Sequence, residues 1–165
     1  MEVYVNGKQL WLNTSKSMKG GEADVYVLND KAVKIFKPPE HPDFENLLHE
    51  QKMARFRIEE HQKKLRAFPK NLPGEVIAPE ELVTDKKGKI IGYVMKFLKG
   101  AENLFAYSRK PFRRAGGIPN SFMLEILKNL YVPVPVLHER GVIISDFNDL
   151  NVLVLGSQIY LIDAD

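Results

Sequence analysis

The sequence predicts an α+β fold, with antiparallel β-structure and one long helix first, then a mixed part that ends in a β-ribbon. Three observations lead there. Two pairs of apolar, strand-like runs are joined by short turns at Asn6-Gly7 and Asn29-Asp30. Apolar residues recur near helical spacing from Pro42 to about Ala67. The remaining strands fall next to one another rather than alternating with helices, which argues against a parallel βαβ sheet.

Taken in order, Val3-Tyr4-Val5 and Leu10-Trp11-Leu12 flank Asn6-Gly7, a dipeptide that supplies the positive φ angles of a tight hairpin. Asp24-Val25-Tyr26-Val27-Leu28 and Lys31-Ala32-Val33-Lys34-Ile35-Phe36 form the second pair. Pro38-Pro39 ends it, because proline cannot donate to a ladder. Phe44, Leu47, Leu48, Met53, Phe56, Ile58 and Leu65 then mark an amphipathic helix, or two with a bend, closed by Pro69, Pro73 and Gly74. Strands are predicted at Glu81-Leu82-Val83-Thr84 and from Ile90 to Leu98, joined by the polar turn Asp85 to Lys89. Residues 99–120 read as loop with short helix. Asn120 or Ser121 is positioned to cap a helix whose apolar face is Phe122, Met123, Ile126, Leu127 and Leu130. Tyr131 to Val136 carries two prolines spaced by one residue, which predicts extended chain. Three short strands close the pattern, at 141–144, 152–155 and 158–162. The predicted division is 1–98 and 99–165.

Composition narrows the function classes. Of 165 residues, 44% are apolar and 27% charged, so a folded core is available and a disordered chain is not expected. There is no cysteine, which excludes disulfides and thiolate chemistry. No apolar run approaches the roughly 20 residues of a bilayer span, so no membrane partner is expected and a cytoplasmic setting is the simplest reading. Net charge is only +3, and the basic stretches Lys86 to Lys89 and Arg109 to Arg114 lack the density and aromatic interleaving of a nucleic-acid surface. Both are expected to be solvated loops. His41, His49 and His61 are dispersed without ligand spacing, so zinc is not expected.

The chemistry concentrates near the end. Ser145-Asp146-Phe147-Asn148-Asp149-Leu150-Asn151 lies between apolar strand-like runs, and Asp163 follows Asn151 by twelve residues. As residue types, these acids and amides suit a plain turn. They also suit Mg²⁺-dependent phosphoryl transfer, which needs an Asp near a hydroxyl and a few side-chain oxygens as metal ligands. Earlier, Lys19-Gly20-Gly21-Glu22-Ala23-Asp24-Val25-Tyr26 places glycines between two strands, where backbone amides can approach phosphate. Lys34 sits inside an apolar strand, which is unusual for lysine unless it is paired or edge-exposed.

Together these residues resemble the protein-kinase-like superfamily, and within it the atypical bacterial Ser/Thr kinases. Asp146 to Asn151 matches the spacing of the family's catalytic loop, Leu161-Ile162-Asp163 resembles the approach to its Asp-Phe-Gly motif, and Leu137-His138-x-x-Gly141 resembles the helix end before that loop. Gly-x-Glu-Ala-x-Val-Tyr is similar to the loop of the RIO group, and Ala32-Val33-Lys34 to Val-Ala-Ile-Lys. The resemblance implies a kinase-like N-terminal lobe, an antiparallel sheet with a long helix, followed by the first part of a C-terminal lobe. It implies ATP and Mg²⁺ as cofactors, with Asp146 as catalytic base and Asn151 and Asp163 as metal ligands. Lys34 would hold the α- and β-phosphates, paired with Glu50 or, failing that, Glu45. Gly20 and Gly21 would cover the phosphates. Val25, Ala32 and Leu153 would wall the adenine, Met95 would lie behind it, and the backbones of Lys96 and Leu98 would bond it. The substrate would be a hydroxyl on a protein or, in an aminoglycoside- or choline-type kinase, on a small molecule. A third reading is a pseudokinase module that acts through a partner. The sequence departs from the family where Ala164-Asp165 replaces Phe-Gly, and only the first part of the second lobe is matched. Apolar residues around Val136, Leu137 and Val142 would then want a cover that a partner protein or an oligomer could supply.

Overall fold

The computed structural model describes residues 1–144 and 146–163; Ser145, Ala164 and Asp165 lie outside the described residues. The architecture is mixed α+β, as the sequence predicts, and the chain divides into two compact units. The first holds Met1–Phe68 and Pro79–Phe97; the second holds Pro69–Ala78 and the described residues from Leu98 onward.

In the first unit the strands are β1 (Glu2–Val5), β2 (Lys8–Trp11), β3 (Ser17–Lys19), β4 (Ala23–Leu28), β5 (Lys31–Phe36), β6 (Glu81–Thr84) and β7 (Ile90–Lys96). They form one sheet in the order β2-β1-β6-β7-β5-β4-β3, antiparallel at every pairing. Asn6 and Gly7 at φ 49° and 75° make the β1–β2 turn, since a primed turn needs positive φ at both central residues. The Asp85 carboxylate builds the β6–β7 turn by accepting from the N–H groups of Lys87 and Lys89, at 2.8 and 3.0 Å.

Strand alternation gives the sheet two apolar faces. Val3, Tyr26, Val33, Ile35, Val83 and Val94 make the core of one. The other carries Ala23, Phe36, Ile90 and Tyr93, which pack with Ile58 and Leu65 of helix α1 (Leu48–Lys64) and just beyond it. The helix is less amphipathic than its apolar spacing suggests. Its buried stripe is Ala54, Ile58 and His61, while Leu48, Met53, Phe56 and the preceding Leu47 are exposed. Apolar positions fell on two faces, and the sheet covers only one. His61 joins the core because its ring lies tilted against Phe36, with centroids 4.3 Å apart, and its Nδ1 meets the Arg57 carbonyl at 2.7 Å. Gln62 grips β7 with a two-way amide fork, Nε2 to the Ile90 carbonyl and Oε1 from the Ile90 N–H, at 2.8 and 2.9 Å.

The second unit has β8 (Glu102–Asn103), α2 (Leu104–Ser108), α3 (Lys110–Ala115), α4 (Asn120–Tyr131), α5 (Pro133–Glu139), β9 (Val152–Leu155) and β10 (Gln158–Leu161). A three-stranded sheet, β10-β9-β8, presents Val152, Val154, Ile159 and Leu161 to a core shared with Val76, Tyr107, Ile126 and Leu137. Residues 75–77 run beside β10 through two backbone hydrogen bonds with Leu161, which is why 69–78 belongs here.

Several sequence expectations are corrected. Residues 133–139 are helical, not extended. Pro133 and Pro135 occupy the first turn of α5, where N–H groups have no intrahelical acceptor, so the missing donors cost little. They interrupt the ladder at Val132, which stays in the right-handed helical region. Residues 141–144 form no strand. Instead Gly141, at φ 71°, ends α5 in a Schellman cap: its N–H reaches the His138 carbonyl and the Val142 N–H reaches Leu137. Pro119, rather than Asn120 or Ser121, takes the cap position of α4. Lys110 to Arg114 lie in α3, with Arg113 Nη1 donating to the carbonyls of Tyr107 and Ser108. Among the described residues, no helix is long and apolar enough to cross a membrane.

Candidate functional site

In the second unit, the polar loop 146–151 leaves the Schellman cap of α5 and enters β9. The Leu-His-x-x-Gly signature has a physical basis here. Leu137 is a fully buried anchor, Gly141 permits the reversal, and Val142 packs back over Leu137 beside a cavity of about 160 Å³ also lined by Ile144 and Phe147. The unit's own core thus covers Leu137.

Asn148 organises the loop. Its Oδ1 accepts from the N–H groups of Leu150 and Asn151 at 2.9 and 3.2 Å, and its Nδ2 donates to Asp146 Oδ1 at 2.8 Å. Asn151 Nδ2 donates to both the carbonyl and the Oδ2 of Asp146, at 3.0 Å each. The Asp146 carboxylate is exposed yet oriented by two amides, one on each oxygen. Asn151 has spent its amide nitrogen on Asp146, so its Oδ1 is left as an acceptor with no donor among the described residues. The Asp149 carbonyl accepts from the Phe105 N–H at 3.0 Å, pinning the loop to the start of α2.

Asp163 follows directly. The β9–β10 register pairs Val152 with Leu161, and the Ile162 N–H then donates to the Asn151 carbonyl at 3.0 Å. This extension brings Asp163 beside the end of the loop. Asp163 is exposed and at φ 55°, a left-handed conformation uncommon outside glycine but tolerated by Asp. A hard cation is compatible with an amide oxygen and a carboxylate, which Asn151 and Asp163 can offer from adjoining strand ends. Among the described residues, no three His, Cys, Asp or Glu side chains converge on one point, so such a site would depend on mixed donors of this kind.

In the first unit, the register sets Val25, Lys34 and Tyr93 in one cross-strand row, and Val27, Ala32 and Met95 in the next. Four residues expected to line a nucleotide site (Val25, Ala32, Lys34 and Met95) therefore share one face of the sheet, the face on which α1 packs. Lys34 lies with its ammonium 5.3 Å from the centre of the Tyr93 ring, within cation–π range. Glu50 belongs to the helix stripe that continues through Ala54, Ile58 and His61, one turn before Ala54. It is exposed and makes no ion pair among the described residues; Glu45 is also exposed, at the end of a short 3₁₀ turn. Lys96 is exposed at the end of β7, whereas Leu98, in the second unit, is buried. Leu153 is half-buried, opposite the core face of β9.

The Gly20-Gly21 segment is the turn of the β3–β4 hairpin. Gly20 is required by packing, since a Cβ there would lie 2.7 Å from the Ala23 carbonyl oxygen, which also accepts the Gly20 N–H. Gly21 has open space around it and no positive φ. The Gly21 and Glu22 N–H groups have no acceptor among the described residues. Glu22 itself is neutralised by Arg57 of α1 at 2.6 Å.

Sequence reasoning missed a buried charged cluster behind this turn. Lys37 and Asp24 are 3% and 6% exposed, and Lys37 bonds Asp43 while Lys19 bonds Asp24 at 2.7 Å. The Lys37 hydrogen bond holds the Asp43 carboxyl below its ordinary value, and the Asp24 hydrogen bond raises the Lys19 ammonium. Burial, then the Asp24 charge, pushes the Tyr26 phenol up. Along the chain Lys37, Asp24 and Asp43 are ordinary charges, and no local pattern marks them as a cluster. Comparison with protein-family models and with curated proteins found no match to this chain.

Proposed function

We propose that this protein is an ATP- and Mg²⁺-dependent phosphotransferase with a protein-kinase-like arrangement of functional residues, acting on a hydroxyl of the Ser/Thr type. The observation that carries the reading is the Asp146–Asn148–Asn151 network. It presents a carboxylate oriented by two amides next to an amide oxygen and Asp163. An ordinary turn would need the Asn148 contacts to the backbone; it would not need a second amide spent on aiming Asp146.

In this reading each unit supplies one set of roles. On the first, Lys34 and the N–H groups of the Gly20-Gly21 turn bind phosphate oxygens, Val25, Ala32 and Met95 contact the base, and Glu50 steadies Lys34. On the second, Asn151 and Asp163 hold the metal. Bound Mg²⁺ would supply charge neutralisation on the phosphates. Asp146 accepts a hydrogen bond from the acceptor hydroxyl. As the new O–P bond forms, the bond to the β-phosphate oxygen breaks, ADP leaves and the hydroxyl proton passes to Asp146.

Mg-ATP at a hundred times its Kd should stabilise the protein by about 2.7 kcal/mol, a melting shift of roughly 5–11 °C for a chain of this length. Asp163→Asn combined with Lys34→Ala should abolish that shift. Asp146→Asn should keep it and lose phosphoryl transfer to a generic hydroxyl substrate. Absence of any shift in the wild-type protein sinks the proposal, and a shift that survives the double substitution moves the site elsewhere.

A further inference from the structure

Lys37 occupies a position where a lysine is expensive to keep. It lies one residue beyond β5, with its side chain 3% exposed, and buried lysines are rare unless every donor is satisfied. Its ammonium donates to the Gly20 carbonyl and to Asp43 Oδ2, and stands 3.8 Å from Asp24 Oδ1. That Asp24 oxygen is itself buried with no hydrogen-bond partner among the described residues. The Lys37 main-chain N–H donates to the Glu22 carbonyl at 2.9 Å. One residue therefore holds two carbonyls of the glycine turn, one through its side chain and one through its backbone.

Peptide geometry converts this into a statement about the turn's outer surface. The Gly20 carbonyl and the Gly21 N–H belong to the same planar unit, and no peptide bond among the described residues is cis, so the two groups point in opposite directions. With the carbonyl drawn inward onto Lys37, the Gly21 N–H faces outward. Neither glycine would resist a flip of this plane by itself, because Gly tolerates either hand of backbone. A flipped plane would turn a carbonyl oxygen, rather than a donor, toward an approaching anion.

We infer that Lys37 is a positioning residue for phosphate: its buried ammonium locks the Gly20–Gly21 peptide with the N–H outward and makes no contact with the ligand itself. This inference rests on the nucleotide-binding reading above. Lys37→Met keeps the length and apolar stem while removing the donor, and Lys37→Arg restores one. The Met variant should fold and bind Mg-ATP about tenfold or more weakly, the scale of one lost hydrogen bond to a charged group. Its adenosine affinity should be unchanged, and the Arg variant should recover part of the loss. A merely structural role would weaken ATP and adenosine alike. As a second measurement independent of any variant's folding, the Gly21 amide resonance of the wild-type protein should shift on adding Mg-ATP and not on adding adenosine. Wild-type Mg-ATP affinity in a folded Lys37→Met protein, or an unmoved Gly21 amide in nucleotide-saturated wild type, overturns the inference while leaving the nucleotide reading intact. Failure of the wild-type protein to bind Mg-ATP at all overturns both.

Discussion

Replacing Gly92 with alanine should be among the most damaging single-methyl changes available in this protein. Gly92 lies in the middle of β7, opposite Ile35 of β5 and Val83 of β6. A Cβ built there falls 2.0 Å from the Lys34 carbonyl oxygen and 3.1 Å from the Ile35 Cα, whereas ordinary contact begins at 3.4 Å. The obstacle is backbone on a central strand pair, so no side chain can rotate away. Relief requires β5 and β7 to separate by more than 1 Å, on the difference between those distances. Overpacking that moves backbone costs about 3 kcal/mol, and stretching one ladder hydrogen bond adds about 1 kcal/mol. The reduced entropy of the unfolded alanine chain returns about 0.4–1 kcal/mol. The net loss is about 3 kcal/mol, or roughly 6–12 °C in melting temperature at this chain length. Thermal and urea melts followed by circular dichroism would measure it, and amide exchange at Lys34 and Ile35 should speed up. A melting temperature within about 2 °C of wild type would show that β5 and β7 do not approach as closely as the register here requires. The placement of Lys34 beside Tyr93 would then fall too.

Gly21→Ala makes the complementary case, because its Cβ meets nothing within 4 Å and its φ is ordinary. Stability should hold or rise by about 0.4–1 kcal/mol, while Mg-ATP affinity falls; a variant with unchanged affinity would remove this turn from the phosphate site. Acid sensitivity should follow Asp43. Its folded-state pKa lies below the unfolded value, so its pairing with Lys37 stabilises the native protein above the ordinary carboxylate range. That contribution is lost as pH falls from about 4 through the lower folded value. Urea midpoints taken from about pH 6 to about pH 3 should therefore decline more steeply for wild type than for Lys37→Met. Parallel declines would mean the Lys37–Asp43 bond carries no linkage.

The local elements were largely legible. Asn6-Gly7 and Asn29-Asp30 announced their hairpins because positive φ is a property of one or two residues and their neighbours. The resemblance to kinases grouped Val25, Ala32, Lys34 and Met95, whereas the register that sets them on one face of the sheet belongs to the structure. The helix was harder. Its spacing marked a helix over the right region, yet the stripe that is buried is Ala54, Ile58 and His61 rather than Leu48, Met53 and Phe56. Which face a helix buries depends on what stands opposite, and Phe36, Ile90 and Tyr93 come from strands far away in sequence. The prolines misled for a related reason: Pro133 and Pro135 break a helix interior but fit a helix start, and only the break at Val132 makes their position a start.

For the candidate site, the spacing of Asp146, Asn151 and Asp163, read with the resemblance to a kinase catalytic loop, singled out those three residues. What the sequence could not show is how they are used. The choice of Asn148 as organiser, the turning of the Asn151 amide toward Asp146, and the extension of the β9–β10 ladder toward Asp163 are matters of hydrogen-bond direction, which residue identity does not encode. The Lys37–Asp24–Asp43 cluster was decided in the same way. Its members are unremarkable charges along the chain, and they become a buried lock on the glycine turn only when β4, β5 and the turn after Pro38-Pro39 close around them and exclude water.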